Sequence, residues 1–506
     1  MASKVLSAAV VGLDAQVVDV EADLGLGLPK TIIVGLPDTA VQEARERVKS
    51  GIRNSGAEWP PGVVTVNLAP ASLRKEGSGY DLAMAMAIML ARGEIRNDWP
   101  IEHRLFVGEL SLDGLVRPVT GVLPIACLAR KRKTKELFVP AANAAEASMI
   151  SGINVFAVKN LAEIIDHVNG RSRMVPYRKK SRSVKALDDQ DLDFSYIRGQ
   201  EQAKRALEIA SAGGHNVLMT GPPGSGKTLL ARTMTTILPV MSLDESLEVT
   251  KIYSVAGRLA KDVPVIRLRP YRAPHHTTSS VALVGGGSWP KPGEISLAHR
   301  GVLFLDEFSE FPRQSLESLR QPLEDGVITV SRASGSVQFP ARFTLIAARN
   351  PCPCGYLNDP HQACMCSAIG VAKYQKKISG PLLDRIDIHI PVPRLEYEKI
   401  AEPRRSESSS VVRERVQQAR KRQSERFRGT PLVVNAEMTV KHIDQYCCIG
   451  SEAQVVLKQA VSQFYLSARV YHRILKVART IADLEGSKSI EAKHVAEALQ
   501  FRPQTN

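Results

Sequence analysis

Eight residues restrict this chain more than any others. Gly221-Pro222-Pro223-Gly224-Ser225-Gly226-Lys227-Thr228 completes the spacing G-x-x-x-x-G-K-[ST] directly after the apolar run Asn216-Val217-Leu218-Met219-Thr220. The helix-like Leu229-Leu230-Ala231-Arg232 follows at once, so a buried strand, a glycine turn and a helix are required in that order. The residue types explain themselves chemically. Glycines let backbone N–H groups converge on phosphate oxygens, and the helix presents its positive end to them. Lys227 then reaches the β- and γ-phosphates and the Thr228 hydroxyl ligates Mg²⁺, which points to bound ATP with magnesium.

At 506 residues the chain is too long for one ordinary domain, and roughly two to four units are expected. A composition of 44% hydrophobic and 24% charged residues excludes a disordered chain, and no uninterrupted apolar run is long enough to span a bilayer. The first residues lead straight into a strand-like stretch with no signal peptide, and seven cysteines in such a chain suit a reducing cytoplasm better than a disulfide framework. A net charge of +15 admits a polyanionic partner without identifying one.

Residues 1–170 read as a mixed α/β unit. Val17-Val18-Asp19-Val20-Glu21-Ala22 alternates like a half-buried strand, Thr31-Ile32-Ile33-Val34-Gly35-Leu36 is similar, and Asp38 reads as the N-cap of a helix through Val41 and Val48. Val63-Val64-Thr65-Val66-Asn67-Leu68 is strand-like, residues 82–90 form an apolar, alanine-rich helix, and Phe106-Val107-Gly108-Glu109-Leu110 and Leu137-Phe138-Val139-Pro140 supply further strands. Residues 171–193 are a basic linker. Arg171, Arg173, Arg178, Lys179, Lys180, Arg182 and Lys185 precede Asp188-Asp189-Gln190-Asp191, a pattern that reads as a solvated charged hinge.

Beyond the linker, Ile197-Arg198-Gly199-Gln200 leads into a helix with Ala203, Ala206, Leu207 and Ala210 on one face. Gly301-Val302-Leu303-Phe304-Leu305-Asp306-Glu307 is an apolar strand ending in two acids, as expected of a sheet whose ligands bind outside its strand ends. Asp306 is placed to hold Mg²⁺ through water and Glu307 to polarise an attacking water. Phe343-Thr344-Leu345-Ile346-Ala347-Ala348 is another buried strand, ending at Arg349-Asn350-Pro351, and Leu382-Leu383-Asp384-Arg385-Ile386-Asp387 follows. Residues 394–506 are helical. Within them 406–410 reads as flexible and 411–428 as a basic helix or simply a solvated face, while 489–499 closes the bundle.

Together with Arg272-Ala273-Pro274-His275-His276-Thr277-Thr278, Val284-Gly285-Gly286-Gly287, Asn350-Pro351-Cys352-Pro353-Cys354-Gly355 and Arg473-Ile474-Leu475, these motifs resemble the YifB/ComM family of magnesium-chelatase-like AAA+ ATPases over nearly the whole chain. The resemblance implies an α/β architecture: an N-terminal Lon-protease-like α+β domain in 1–170, a central AAA+ P-loop α/β domain in 194–393 and a C-terminal helical lid in 394–506. It further implies that Asn350 orients the lytic water, that Arg385 reaches a neighbour's γ-phosphate, and that Arg469, in Ser467-Ala468-Arg469, contacts the γ-phosphate of its own subunit's nucleotide from the lid. Ile386 stands where the family usually has an aromatic residue. An arginine supplied in trans is worth roughly 10³ to 10⁵ in turnover. The implied assembly is a homohexamer, and the family's competence member promotes branch migration on DNA during natural transformation. The resemblance therefore implies a helicase acting on single-stranded or branched DNA, with no membrane partner. A magnesium-chelatase-type subunit remodelling a protein partner is the rival reading; such a subunit would ordinarily lack the fused N-terminal domain and the cysteine loop.

The Lon likeness also raises a peptidase. The nucleophilic serine of that pattern follows Lys-Asp-Gly-Pro, whereas Lys75-Glu76-Gly77-Ser78-Gly79-Tyr80-Asp81 puts Gly79 at its place. The segment after Arg117-Pro118-Val119-Thr120-Gly121 offers Ile125 where the lysine partner belongs. Ser78 as a displaced nucleophile needs a base in hydrogen-bond reach, and the sequence indicates none. The domain is expected to be a non-catalytic scaffold or DNA-handling module.

Two clusters stay open. Cys352, Cys354, Cys364 and Cys366 form paired C-x-C units with His361 nearby; four thiolates suit Zn²⁺, but the spacing is tighter than a usual knuckle and unmetallated thiols fit as well. His275 and His276 admit a metal, DNA or packing role. Cys127, Cys447 and Cys448 read as buried thiols. For DNA, Gly285-Gly286-Gly287 and the hairpin-like 327–337, with Ser331, Arg332 and Ser334, are where the family directs loops toward a channel; a subunit contact is the alternative, and the pore reading is preferred.

Overall fold

The computed structural model describes residues 2–96, 101–178, 192–260, 265–287, 290–332, 335–396 and 407–502. Lys179, Lys180, Arg182, Lys185, the acidic run 188–191 and Ser334 lie outside them. The chain divides into two compact units, Met1–Val184 with Ser246–Ile266 and Lys185–Glu245 with Arg267–Asn506.

The first unit is built on a seven-stranded mixed sheet. Its strand order is Lys30–Val34, Val63–Ala69, Asp14–Gly25, Ser3–Val11, Arg104–Phe106, Glu136–Pro140, Asn154–Val158. Alternation dictates the faces: Val18, Val20 and Ala22 are fully buried while the residues between them are not. Helix Thr39–Asn54 starts at Asp38, whose carboxylate accepts from the Val41 N–H at 2.8 Å, a cap worth about 1 kcal/mol. Helix Asp81–Arg92 is buried along nine successive residues, Asp81 to Met89, which explains its lack of a polar face.

The stretch 106–110 is not one strand. It splits into Arg104–Phe106 and Glu109–Leu110, in different sheets. The cause is Gly108, whose N–H turns to Gly79 O at 2.9 Å, and at which a Cβ would lie 2.7 Å from the Val116 side chain. Around this break, Ile125 is buried at 2% exposure in helix Val122–Lys131, and the Ser78 hydroxyl donates to the Glu109 carboxylate, a partner that the sequence did not indicate. Lys75 is fully buried and donates to Pro70 O. Asp81 is buried against Arg47 at 2.7 Å.

The second unit carries a five-stranded parallel sheet in the order Tyr271–Arg272, Val302–Leu305, Thr344–Arg349, Val217–Thr220, Ile388–Pro391. Near-continuous apolar strands such as Val302–Leu305, buried at every residue, are what a sheet covered on both faces requires. Helices Ser409–Arg426, Val440–Tyr446, Ser451–Phe464, Ala468–Glu485 and Ala492–Gln500 share one hydrophobic core with that sheet. Ser409, in the stretch expected to be flexible, is instead buried at the head of the first of these helices. Its hydroxyl accepts from the Phe194 N–H at 2.8 Å, and its own N–H donates to Asp193 at 3.1 Å. Among the described residues no helix is long and apolar enough to cross a membrane.

Candidate nucleotide-binding site

Strand register assembles the site. Thr220 pairs with Arg349 and Leu305 with Ala347, so the residues that follow each strand, Gly221, Asn350 and Asp306, emerge at the same edge. Strand Val217–Thr220 is flanked by two strands that are not its neighbours in sequence, the switch point at which open parallel sheets take their ligands. Gly224 and Gly226 adopt φ of +75° and +89° with open space where a Cβ would project, a left-handed backbone that suits glycine and lets the N–H groups of these two residues turn toward an anion. Gly221 is pinned more tightly: a Cβ there would lie 2.0 Å from Val392 O.

Lys227 heads helix Lys227–Ile237 and is buried. Its ammonium donates to Gly221 O at 2.9 Å and Pro222 O at 2.8 Å and lies 3.5 Å from Asn350 Oδ1. Burial lowers its pKa below the ordinary lysine value, with the Asp306 charge opposing that shift. The Thr228 hydroxyl donates to Asp306 at 2.7 Å. Two adjacent oxygen ligands of this kind match a hard divalent cation, and the donor set fits magnesium. The sequence-predicted group of 221–228, Asp306 and Asn350 is thus brought together.

Glu307 is held differently. Its backbone sits at φ 50° and ψ 44°, a left-handed conformation that a glutamate adopts at a cost. His276 Nδ1 donates to its carboxylate at 2.7 Å. Of the roles open to His276, contact with this acid is the one found, while the His275 ring lies tilted against His276 at 4.1 Å between ring centroids and bonds Thr277.

Arg385 and Arg469 join a second cluster. Arg385 donates to Pro381 O at 2.5 Å and pairs with Glu324, leaving its buried Nε without a hydrogen-bond partner among the described residues. Arg469 and Arg473 each lie 3.6 Å from Asp384, and Arg473 Nη1 donates to Ile386 O at 2.7 Å. These groups line a cavity of about 450 Å³ with Arg269 and Arg420. The cluster hangs on Asn216, whose amide donates to Arg385 O at 3.0 Å and whose own carbonyl accepts from Asp387 and Ile388. Asn216 precedes the strand that ends in the glycine turn, so the two clusters lie at opposite ends of Val217–Thr220. His215 ties the same segment to the long C-terminal helix, with Nδ1 3.0 Å from Asp387 and Nε2 2.8 Å from the Thr480 hydroxyl.

The four sequence-predicted thiols converge as well: Cys352, Cys354, Cys364 and Cys366 place all their sulfurs within 4.8 Å of one another, and His361 is not part of the group. Gly285–Gly286 pairs with Lys291–Pro292 as a small hairpin, and Val327–Arg332 pairs with Gly335–Pro340 as another.

Comparison with known proteins covers almost the whole chain. Residues 193–400 match the family described as magnesium chelatase, subunit ChlI; residues 20–143 match subunit ChlI of Mg-chelatase, and 406–502 its C-terminal region. The chain is 42% identical over 501 residues to the competence protein ComM of Haemophilus influenzae, covering 98% of this chain and 97% of that protein. It is 41% identical over 498 residues to YifB of Escherichia coli, covering 98% and 96%. Similarity to the magnesium-chelatase 38 kDa subunit of Cereibacter sphaeroides is 28% over 174 residues, 31% of this chain and 52% of that one.

Proposed function

Because the chain belongs to the YifB/ComM family of magnesium-chelatase-like proteins, we propose that it is an ATP-hydrolysing AAA+ motor that works on DNA as a homohexamer, promoting branch migration in recombination or natural transformation. The observation that carries the reading is the division of the site: Lys227, Thr228, Asp306 and Asn350 at one end of strand Val217–Thr220, and Arg385, Arg469 and Arg473 at the other. The strand is four residues long, about 13 Å at ~3.3 Å per residue, too far for one arginine to serve its own glycine turn. Each subunit then holds half a site and completes its neighbour's.

In this mechanism the backbone N–H groups of Gly224, Ser225 and Gly226 together with Lys227 would bind the β- and γ-phosphates, and Thr228 and Asp306 would hold the cation. Magnesium, when bound, neutralises charge on the phosphates. Glu307 leaves His276 to polarise water, with Asn350 orienting it. Arg385 stabilises the transition state in trans. Arg469, which the resemblance makes a γ-phosphate contact within its own subunit, lies 3.6 Å from Asp384 in the Arg385 cluster, and that place supports a role on the same face as Arg385 instead. Residues 1–170 are read as a non-catalytic Lon-like module, 171–193 as a basic linker, 194–393 as the motor and 394–506 as the lid. The hairpins at Gly285–Gly286 and Val327–Pro340 are read as loops facing single-stranded or branched DNA. A cytoplasmic location is part of this proposal.

The chelatase-subunit reading is less well supported, since likeness to the 38 kDa subunit covers 31% of the chain against 98% for ComM. The test is strand exchange on a labelled three-stranded junction with ATP. Movement by the native protein and none by Lys227→Ala is expected; hydrolysis indifferent to DNA together with a static junction would sink the motor reading.

A further inference from the structure

We propose that Cys352, Cys354, Cys364 and Cys366 hold one structural zinc ion, and that the resulting knot positions Asn350 against the glycine turn. The sulfur of Cys352 lies 3.4 Å from Cys354 and 3.6 Å from Cys364, and Cys354 lies 3.6 Å from Cys364. A tetrahedral tetrathiolate with Zn–S of about 2.3 Å has an S···S edge of about 3.8 Å, so the thiols already occupy a cage of that size. A disulfide requires about 2.05 Å, and all four cysteines are free. Four soft thiolates around one tetrahedral centre select zinc over magnesium or calcium.

The loop needs such a fastening. Between strand Thr344–Arg349 and helix Ala368–Gln375 there is neither helix nor strand, and a stretch this long inside a folded domain calls for another source of order. Cys352 is fully buried, and the anchors apart from the sulfurs are few: Gln375 donates to Pro351 O at 3.4 Å, and Arg394 lies 3.9 Å from Asp359 and over the Tyr356 ring at 5.3 Å. Metal bound by such a loop contributes its binding energy to folding.

The knot also touches the nucleotide site. Asn350, two residues before Cys352, lies 3.5 Å from Lys227 Nζ. Gly355, just beyond Cys354, packs so closely on the turn that a Cβ would come within 2.5 Å of Pro223 Cδ. Loss of the metal would free both the asparagine and this wall of the turn. A displacement of about 1 Å in a positioning group costs on the order of 10² in turnover. The metal site stands independently of the proposed ATPase function; the effect on turnover rests on it.

The test uses the full-length protein purified without added metal. Elemental analysis should find one zinc per chain, released by a mercurial thiol reagent, and replacement by Co²⁺ should give the visible d–d and thiolate charge-transfer bands of tetrahedral cobalt. Cys354→Ser/Cys366→Ser should lose the zinc. Stripped wild-type protein should bind ATP within about threefold of the native affinity and turn over on the order of 10² more slowly, recovering when zinc is restored. Protein without zinc whose four thiols are all alkylated in the native state, stoichiometric iron, or cobalt bands absent overturns the site. Zinc present with turnover indifferent to its removal overturns the positioning role. Zinc-loaded protein that hydrolyses no ATP supports the metal site and overturns the functional reading instead.

Discussion

Lys75 and Lys227 are two buried amines in similar local settings: each follows a proline-containing turn and donates to carbonyls of its own chain. Burial lowers the pKa of both. Their surroundings separate them. Lys75 has Pro70 O and, among the described residues, no carboxylate contributing to its charge balance, whereas Lys227 is opposed by Asp306 and lies beside Asn350, with Thr228 already joined to that acid. A buried, pKa-shifted lysine is therefore no sign of chemistry by itself. The convergence of other reactive groups at a sheet edge is what distinguishes the second.

The largest effect that separates them is expected from Lys227→Ala, which should bring ATP hydrolysis down to background while the Tm stays within about 2 °C. Lys75→Ala should do the reverse, keeping hydrolysis and lowering the Tm by several degrees as its stem leaves a cavity. Loss of hydrolysis by folded Lys75→Ala would erase the contrast. Next in size, Arg385→Ala should lower turnover by roughly 10³ to 10⁵, about 4 to 7 kcal/mol in barrier. Mixing it with Lys227→Ala should restore part of the activity if, as proposed, each supplies the half-site the other lacks; absence of rescue in mixed oligomers would place Arg385 outside the neighbour's site. His276→Ala should raise DNA-independent hydrolysis by up to about tenfold, the equivalent of one charge-assisted hydrogen bond released from Glu307. An unchanged basal rate would mean that His276 does not restrain the acid.

The smallest effect is in pH. A lysine whose folded pKa lies below its unfolded value binds its proton less tightly when folded, so its destabilising contribution is complete below the folded pKa and fades as pH rises toward 10.5. Urea melts should show native protein gaining stability on the alkaline side of that window relative to Lys75→Met. Parallel curves would show that Lys75 is not desolvated in the folded protein.

What the sequence disclosed was local. The apolar run 216–220, the glycine spacing of 221–228 and the acids after Leu305 each declare themselves within a few residues, and parallel register then brings them together without further information. What it concealed was non-local. His276 and Glu307 meet only because Tyr271–Arg272 and Val302–Leu305 are neighbouring strands, and no spacing in the chain announces that pairing. The break at Gly108 depends on Gly79 and Val116, Ser409 is ordered by Asp193 and Phe194 far away in sequence, and the tetrahedral spacing of the thiols appears only once the loop is folded.

Asn216 and the four-residue strand behind it have a mechanical meaning. A strand paired on both sides resists stretching, so it behaves as a short beam whose two ends rotate together. In the proposed motor one end would cradle the nucleotide and the other would steer Arg385 toward the next subunit. If the proposed ring forms, a tilt produced by phosphate release at the first end would be delivered to the second without intervening parts, and firing order would follow from the stiffness of a single beam.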